Sequence, residues 1–421
     1  MSGSGVDPGT PVETRGTVTA ALRHQPFRRV WIGQLASNVG TWMQNIVLGI
    51  LAYELTGAAW FIGLVAFAQL GPMLLFSPVG GAIADRFDRR VVLVSIALSQ
   101  LVLSLALAVV ALDESPNKFL IVVLVAAIGT GAAIYAPSIS AMLPSLVGRR
   151  DLQGAVALNS AAMNGSRVAG PLLGGAFAAL GGPSLVFAIN AATYLVAVWA
   201  VATVRADFSP KGIRGDSPLQ QLRDGFHTAA KDPVLTRVLV TISVYSFCSL
   251  VFIYQMPLVA EQRLRIDEIG YTALFATFAV GAALGALATG SLLVDISRWT
   301  LTRAALGTFA VALAAFATTT SPPVAFVAVF VTGASYFIVV TALSTILQLR
   351  VDDRVRGRVM GLWMMGWAGL VPLGGLLAGP TIDAVGIVWV LLFGALVAGV
   401  LALTVRAPGP DAADGDAIAP A

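Results

Sequence analysis

The 421-residue chain is 57% hydrophobic and only 11% charged, against about 25% charged in a soluble globular domain, and its mean hydropathy is +0.84. Its 26 basic and 22 acidic side chains are too few to clothe a water-facing core of this size, which argues against a cytosolic enzyme. A lone cysteine, Cys248, excludes an internal disulfide, and with only two histidines it leaves no His/Cys zinc set, so no metal or cofactor is expected.

Residues 1–26 read as a flexible polar segment without a signal peptide. A membrane helix needs about 20 apolar residues, and such runs follow near 30–53, 61–83, 91–112, 119–142, 155–179 and 184–204. After a polar stretch come runs near 238–260, 270–294, 304–320, 324–347, 359–380 and 384–405. The expected fold is an all-α polytopic membrane protein with twelve transmembrane helices: a six-helix bundle over 27–205, a linker over 206–236 and a second six-helix bundle over 237–406. Within the linker, Ser217–Ala230 is a predicted short helix. Ser217 is its N-cap and Pro218 its first residue, with Leu219, Leu222 and Phe226 on one face. The Pro-, Ala-, Gly- and Asp-rich tail 407–421 reads as disordered.

An even number of helices puts both termini on one side. All but four of the 26 basic residues then fall on that side; Lys118, Arg263 and Arg265 fall on the other, and Arg167 lies within a span. By the positive-inside rule both termini are cytoplasmic. The basic balance thus follows from topology and requires no nucleic acid, while arginines beside the membrane suit anionic lipids.

The two halves read as diverged copies. Leu143–Gly154 aligns with Ile346–Gly357, and Pro171-Leu-Leu-Gly-Gly175 is echoed by Pro372-Leu-Gly-Gly375. Two parallel repeats about an axis along the membrane normal are a transporter arrangement. Between the second and third runs stands Gly81-Ala-Ile-Ala-Asp85-Arg86-Phe-Asp88-Arg89-Arg90. With this stretch the chain resembles the major facilitator superfamily over essentially all twelve runs, although Asp88 replaces the second glycine of the family pattern. The counterpart from Gly290 through Asp295 to Arg298 is eroded. The Gly-Pro-rich stretch 159–175, Leu143-Pro144, Arg356-Gly-Arg-Val359 and Pro372-Leu-Gly-Gly375 resemble those of bacterial drug and siderophore exporters of the enterobactin-exporter type.

That resemblance implies a monomeric carrier in the cytoplasmic membrane of a bacterium, exporting an amphipathic small molecule by alternating access, with protons moving in antiport. A carrier of lipid-like or nutrient substrates, possibly working inward, is the alternative, and a non-transporting scaffold is a further one. A membrane enzyme has least support, since no nucleophile–histidine–acid motif or phosphate-cradling glycine loop is present. The resemblance also assigns a cytoplasmic gate to Asp85, Arg86, Arg89 and Arg90 with Gly81; a carboxylate at a helix end can pair with a basic side chain or with backbone N–H groups in one state only.

Arg167 is the sharpest polar residue. No acid lies within a neighbouring turn, so its partner is remote in sequence, a backbone carbonyl, an anionic substrate or a neighbouring helix. In the first run, Gln34, Asn38, Thr41 and Asn45 form one helical stripe, expected to face a cavity or to glue helices. Asn164, Tyr245 and Trp363 are further cavity candidates, with Asn159, Asn190, Tyr254, Gln255, Tyr336 and Trp367. Gly170, Pro171 and Gly174, and Pro372 with Gly374, suit close packing at a moving interface. Proton coupling calls for an acid near the cavity, and Glu54, at the outer end of the first run, is the best single candidate; Asp295 lies at the inner end of the eighth.

Overall fold

A chain surrounded by hydrocarbon must satisfy its backbone polar groups internally, which favours helices. The computed structural model describes residues 18–204, 218–351 and 355–406, and these are helical throughout apart from short connections. In order they form α1 (Val18–Arg23), α2 (Gln25–Thr56), α3 (Ala59–Arg86), α4 (Arg89–Val110), α5 (Lys118–Ala202), α6 (Pro218–Lys231), α7 (Pro233–Ser249) and α8 (Phe252–Val259). Then come α9 (Glu268–Ser291), α10 (Arg298–Thr318), α11 (Pro322–Arg350), α12 (Arg356–Met364), α13 (Leu370–Val385) and α14 (Ile387–Thr404). Among the described residues ten helical segments are long and apolar enough to cross a membrane.

The 85 residues of α5 would reach roughly 130 Å as one straight helix, far beyond a hydrocarbon core of about 30 Å. Gly148 (φ 73°) and Gly182 (φ 69°) break it, with Gly181 also off helical angles. Both positive φ values belong to the left-handed region that glycine enters without penalty. Three arms result, 118–147, 149–180 and 183–202. The expected charged connection 143–154 is therefore helical up to and after a single glycine, and sequence hydropathy had misplaced it as a loop.

In the second half, α7, α8 and a π-helical turn at Ala260–Leu264 follow one another, as do α12, a π-helical turn at Met365–Gly369 and α13. Pro257 in the first stack and Gly366 and Gly369 in the second are local causes of such irregularity. Caps mark the helix starts: Asn117 accepts from the amides of Phe119 and Leu120, and Asp232 accepts from those of Val234 and Leu235.

Helices of each half meet through small residues. A Cβ on Gly281, Gly285 or Gly333 would lie 2.2 Å from the carbonyl oxygen of Phe330, Ala334 or Phe278 respectively, so α9 and α11 touch backbone to backbone. An aromatic cluster of Tyr245, Phe252, Phe309, Phe278 and Tyr336 fills the second half. The first half carries a buried polar knot instead: Gln44 Oε1 accepts from Asn190 Nδ2 at 2.8 Å and Ser104 Oγ at 3.2 Å.

The linker helix forms as α6, and of the expected face only Phe226 is described. Ser217 lies outside the described residues, as do the side chains of Leu219 and Leu222. Phe226 is 58% exposed. Gly225 approaches the Arg358 carbonyl, Ala229 is buried, and Asp224 pairs with Arg358 at 3.1 Å. Small side chains let α6 lie close to α12, and an aromatic ring at that contact would hold it off.

Gly285→Leu is expected to overpack the α9–α11 contact, costing about 1–3 kcal/mol. A lowered thermal midpoint of the detergent-purified protein checks this, with Gly290→Leu, which meets open space, as the neutral control.

Candidate functional site

Several contacts join residues 25–202 to residues 233–404, and they cluster from mid-depth to the end of the bundle poor in basic residues. At that end, Asp383 on α13 accepts hydrogen bonds from the backbone N–H groups of Ala59 (2.8 Å) and Trp60 (3.1 Å), the first residues of α3. The first amides of a helix have no intrahelical partner and carry the positive end of its dipole. A carboxylate from the other half therefore caps α3. Beside it, Gln255 Nε2 donates to the Ala59 carbonyl at 3.2 Å. The approach depends on missing side chains: a Cβ on Gly379 would lie 2.5 Å from Trp60 Cα, and one on Gly63 would lie 2.5 Å from the Gly375 carbonyl.

The glycines singled out in sequence divide their work. Gly170 and Gly174 hold the second arm of α5 against Trp42 and Met43 of α2, inside the first half, and Gly374 sits against the Phe247 carbonyl of α7, inside the second. The next residue in each case faces across: a Cβ on Gly175 would meet Thr272 of α9 at 2.5 Å, and Gly375 meets Gly63 of α3. Pro171 and Pro372 are buried in these same contacts.

At mid-depth stands Arg167, roughly 28 Å along the helix from Gly148 and roughly 21 Å from Gly181. A charge there costs at least about 2.5 kcal/mol on insertion scales. Its Cζ lies 5.5 Å from the Trp42 ring centroid in the first half and 5.2 Å from that of Phe337 in the second. One Nη1–H reaches Asn164 Oδ1 at 3.4 Å, and its buried Nε–H has no partner. Trp367 donates to Tyr336 Oη at 2.8 Å, and Tyr336, Phe337 and Trp367 stack edge to face beside the guanidinium.

The other candidates disperse. Gln34 and Asn38 are half-buried on α2. Thr41 pairs with Tyr194 Oη at 3.2 Å, and Asn45 accepts from Gln69, so both serve helix contacts within the first half. The stripe is one face of α2, but neighbouring helices claim part of it. Tyr245 has no exposed surface and packs against Phe309, and Trp363 is 2% exposed; in this conformation neither lines an open surface. Aromatic rings in a membrane helix satisfy a core as readily as a cavity, and sequence does not separate the two.

At the basic end, Gly81 and Asp85 belong to the last turns of α3, and the surroundings of Gly81 and the side chain of Asp85 lie outside the described set. Arg86 is exposed, and Arg90 donates to the Val204 carbonyl. Asp88, the departure from the family pattern, accepts from the amides of Arg90 (2.8 Å) and Val91 (3.3 Å) and so caps α4. Glu54, just past the apolar run of α2, lies beside Glu268 of α9 with Glu261 nearby. Partial burial and these neighbours push its carboxyl up to about 7. Asp383 is not among the residues that the motifs single out. Its signal was present as Gly379-Pro-Thr-Ile-Asp383, the same glycine-to-aspartate spacing as Gly81 to Asp85.

A family model described as a transmembrane secretion effector matches residues 16–420. The enterobactin exporter EntS of Shigella boydii serotype 4 (strain Sb227) is 27% identical over 388 residues, covering 91% of this chain and 92% of that protein. A crystal structure of a bacterial homolog of the human lysosomal transporter Spinster, inward-facing and unoccupied, has a TM-score of 0.68 at 16% identity, covering 97% of this chain and 92% of its own. One of a bacterial homologue of the iron transporter ferroportin, in an inward-facing state, has a TM-score of 0.69 at 15% identity, covering 90% and 98%. At these identities the likeness to the two solved structures concerns the fold.

Asp383→Ala is expected to free the amides of Ala59 and Trp60. Hydrogen bonds to a charged group contribute about 1.5–3 kcal/mol, so exchange of these amides in hydrogen–deuterium measurements rises by about tenfold or more, and Asp383→Asn gives a smaller rise.

Proposed function

The chain belongs to the major facilitator superfamily, among its transmembrane secretion effectors, and from that premise we propose that it exports an amphipathic small molecule of the drug or siderophore class, in exchange for protons. It is a multi-pass bacterial inner-membrane protein and a secondary transporter of the major facilitator type, with relatives that are transporters and not enzymes. The finer reading takes twelve spans in two six-helix bundles, over 27–205 and 237–406, joined by the linker 206–236. Counting α2 as a span and dividing Gly154–Ala202 at Gly181–Gly182 raises the ten apolar segments to twelve. The arginine distribution supports cytoplasmic termini. The chain is taken to act as a monomer.

One observation carries the reading: the halves are joined at the end poor in basic residues, by Asp383 on α3 and by the Gly63–Gly375 and Gly175–Thr272 contacts. With the termini cytoplasmic, this is a carrier closed to the outside, and Arg167 lies between the halves on the inner side of that closure. Export then requires the outer contacts to part and inner ones to form. Asp85, with Arg86, Arg89 and Arg90, is the proposed inner latch. Its spacing from Gly81 repeats that of Asp383 from Gly379, at the opposite end of a partner helix, so each aspartate serves one closed state.

Glu54 is the proposed proton site. With the outer end closed its carboxyl sits near 7; with the end open and solvated it returns toward the usual carboxylate range. The closed state therefore binds the proton more tightly. Lowering the pH from about 7 favours closure progressively, whereas above about 7 ionised Glu54 repels Glu268 and Glu261 and closure loses this contribution. An external proton would thus reclose the emptied carrier.

Cells lacking the protein are expected to accumulate a toxic amphipathic compound, with Asp85→Asn abolishing its efflux at unchanged protein abundance; unchanged accumulation across a broad compound panel overturns export. In liposomes, flux should respond to an imposed pH gradient, and Glu54→Gln should flatten that response. Flux indifferent to the gradient overturns proton antiport.

A further inference from the structure

We propose that Arg167 is the anchor for an anionic group on the cargo, so that the transported molecule is an organic anion with a planar apolar body. The inference rests on the export reading and names its substrate class.

Other arginines of this chain show what a structural arginine looks like here. Arg298, 5% exposed, donates to the carbonyls of Leu293 (3.2 Å) and Thr289 (3.4 Å) near the end of α9. Arg237, Arg263 and Arg303 donate to the carbonyls of Arg406, Thr318 and Ala402, each at or near the end of a helix or span. In each case unsatisfied helix-end carbonyls receive the charge.

Arg167 is held differently. It sits in the middle of a span and, among the described residues, reaches no backbone carbonyl and makes one long hydrogen bond, to the neutral amide of Asn164. The titratable groups that act on it are the phenols of Tyr336 and Tyr254, not a carboxylate. Its Nε–H is buried and unpaired, as is that of Arg263, but Arg263 still delivers its charge to the Thr318 carbonyl whereas Arg167 has only the Asn164 amide oxygen. Trp42 and Phe337 engage the charge through their ring faces, yet a ring face satisfies none of the in-plane N–H directions that fit a carboxylate or phosphate fork. The unmet demand is therefore for an anion in the guanidinium plane.

The surroundings specify the rest of the ligand. Trp42 comes from the first half and Tyr336, Phe337 and Trp367 from the second, so a planar apolar body attached to the anion meets aromatic surface from both halves. A cationic cargo is repelled by Arg167, and a neutral one leaves its charge unpaired.

The test uses the full-length protein in nanodiscs and three probes sharing one bicyclic body: 2-naphthoate, neutral 2-naphthylmethanol and cationic 2-naphthylmethylammonium. Titration calorimetry is expected to give at least tenfold tighter binding of the anion than of either counterpart. Arg167→Gln should remove that preference while leaving the thermal midpoint of the empty protein unchanged or raised, since an unpartnered charge is lost. Arg167→Lys keeps the charge but not the fork, and should retain a reduced preference. Equal or undetectable binding of all three probes by the wild type overturns the proposal, as does an anion preference that survives in Arg167→Gln. These are binding measurements on purified protein, so their failure is distinct from failure of the efflux assay.

Discussion

A carboxylate from one half of the molecule holding the first amides of a helix from the other is the contact on which this arrangement turns. The N-terminus of α3 begins at Ala59 without a capping side chain of its own, and Asp383 supplies the acceptors. The bond satisfies a helix end and joins the two halves at once. Gly379 and Gly63 exist to let it form, because a single Cβ at either would push α3 and α13 apart. Once the halves are joined there, the second arm of α5 is brought near α9 and Arg167 is placed between Trp42 and Phe337.

The small residues do two jobs that are separated by one position in the chain. Gly174 and Gly374 bind their helices to neighbours on their own side of the linker, while Gly175 faces Thr272 and the Gly375 carbonyl receives Gly63 from the other side. Adjacent residues on a helix point about 100° apart, so a glycine pair can present backbone to two neighbours together. One contact stays among residues 25–202 or 233–404, and the other joins the two stretches. Little lateral attraction operates between apolar helices in lipid, and close backbone approach with a few polar bonds supplies most of it.

Charge is used sparingly and in different ways. Several described arginines near the basic end or at span ends answer helix carbonyls or acids, as Arg90, Arg237 and Arg350 do. Asp88 caps α4 through the amides of Arg90 and Val91. Glu54 stands apart because its neighbours are other carboxylates, Glu268 and Glu261, from beyond the linker.

The amino-acid sequence by itself determined the helical membrane class, the isolation of Arg167 and the family, because hydropathy, charge side and motif spacing are local or additive properties. It also carried the Gly–Asp spacing at 379–383, legible only once its twin at 81–85 is compared. Tertiary structure decided which residues meet. Tyr245 became core, Thr41 and Asn45 turned to Tyr194 and Gln69, and Gly225 rather than Phe226 seated the linker helix. In a chain that is apolar nearly everywhere, hydrophobicity does not distinguish the lipid-facing side of a helix from its packed side. Backbone approach and pairing across the two halves make that distinction, and they are set by contacts more than 100 residues apart in the chain, as between Ala59 and Asp383.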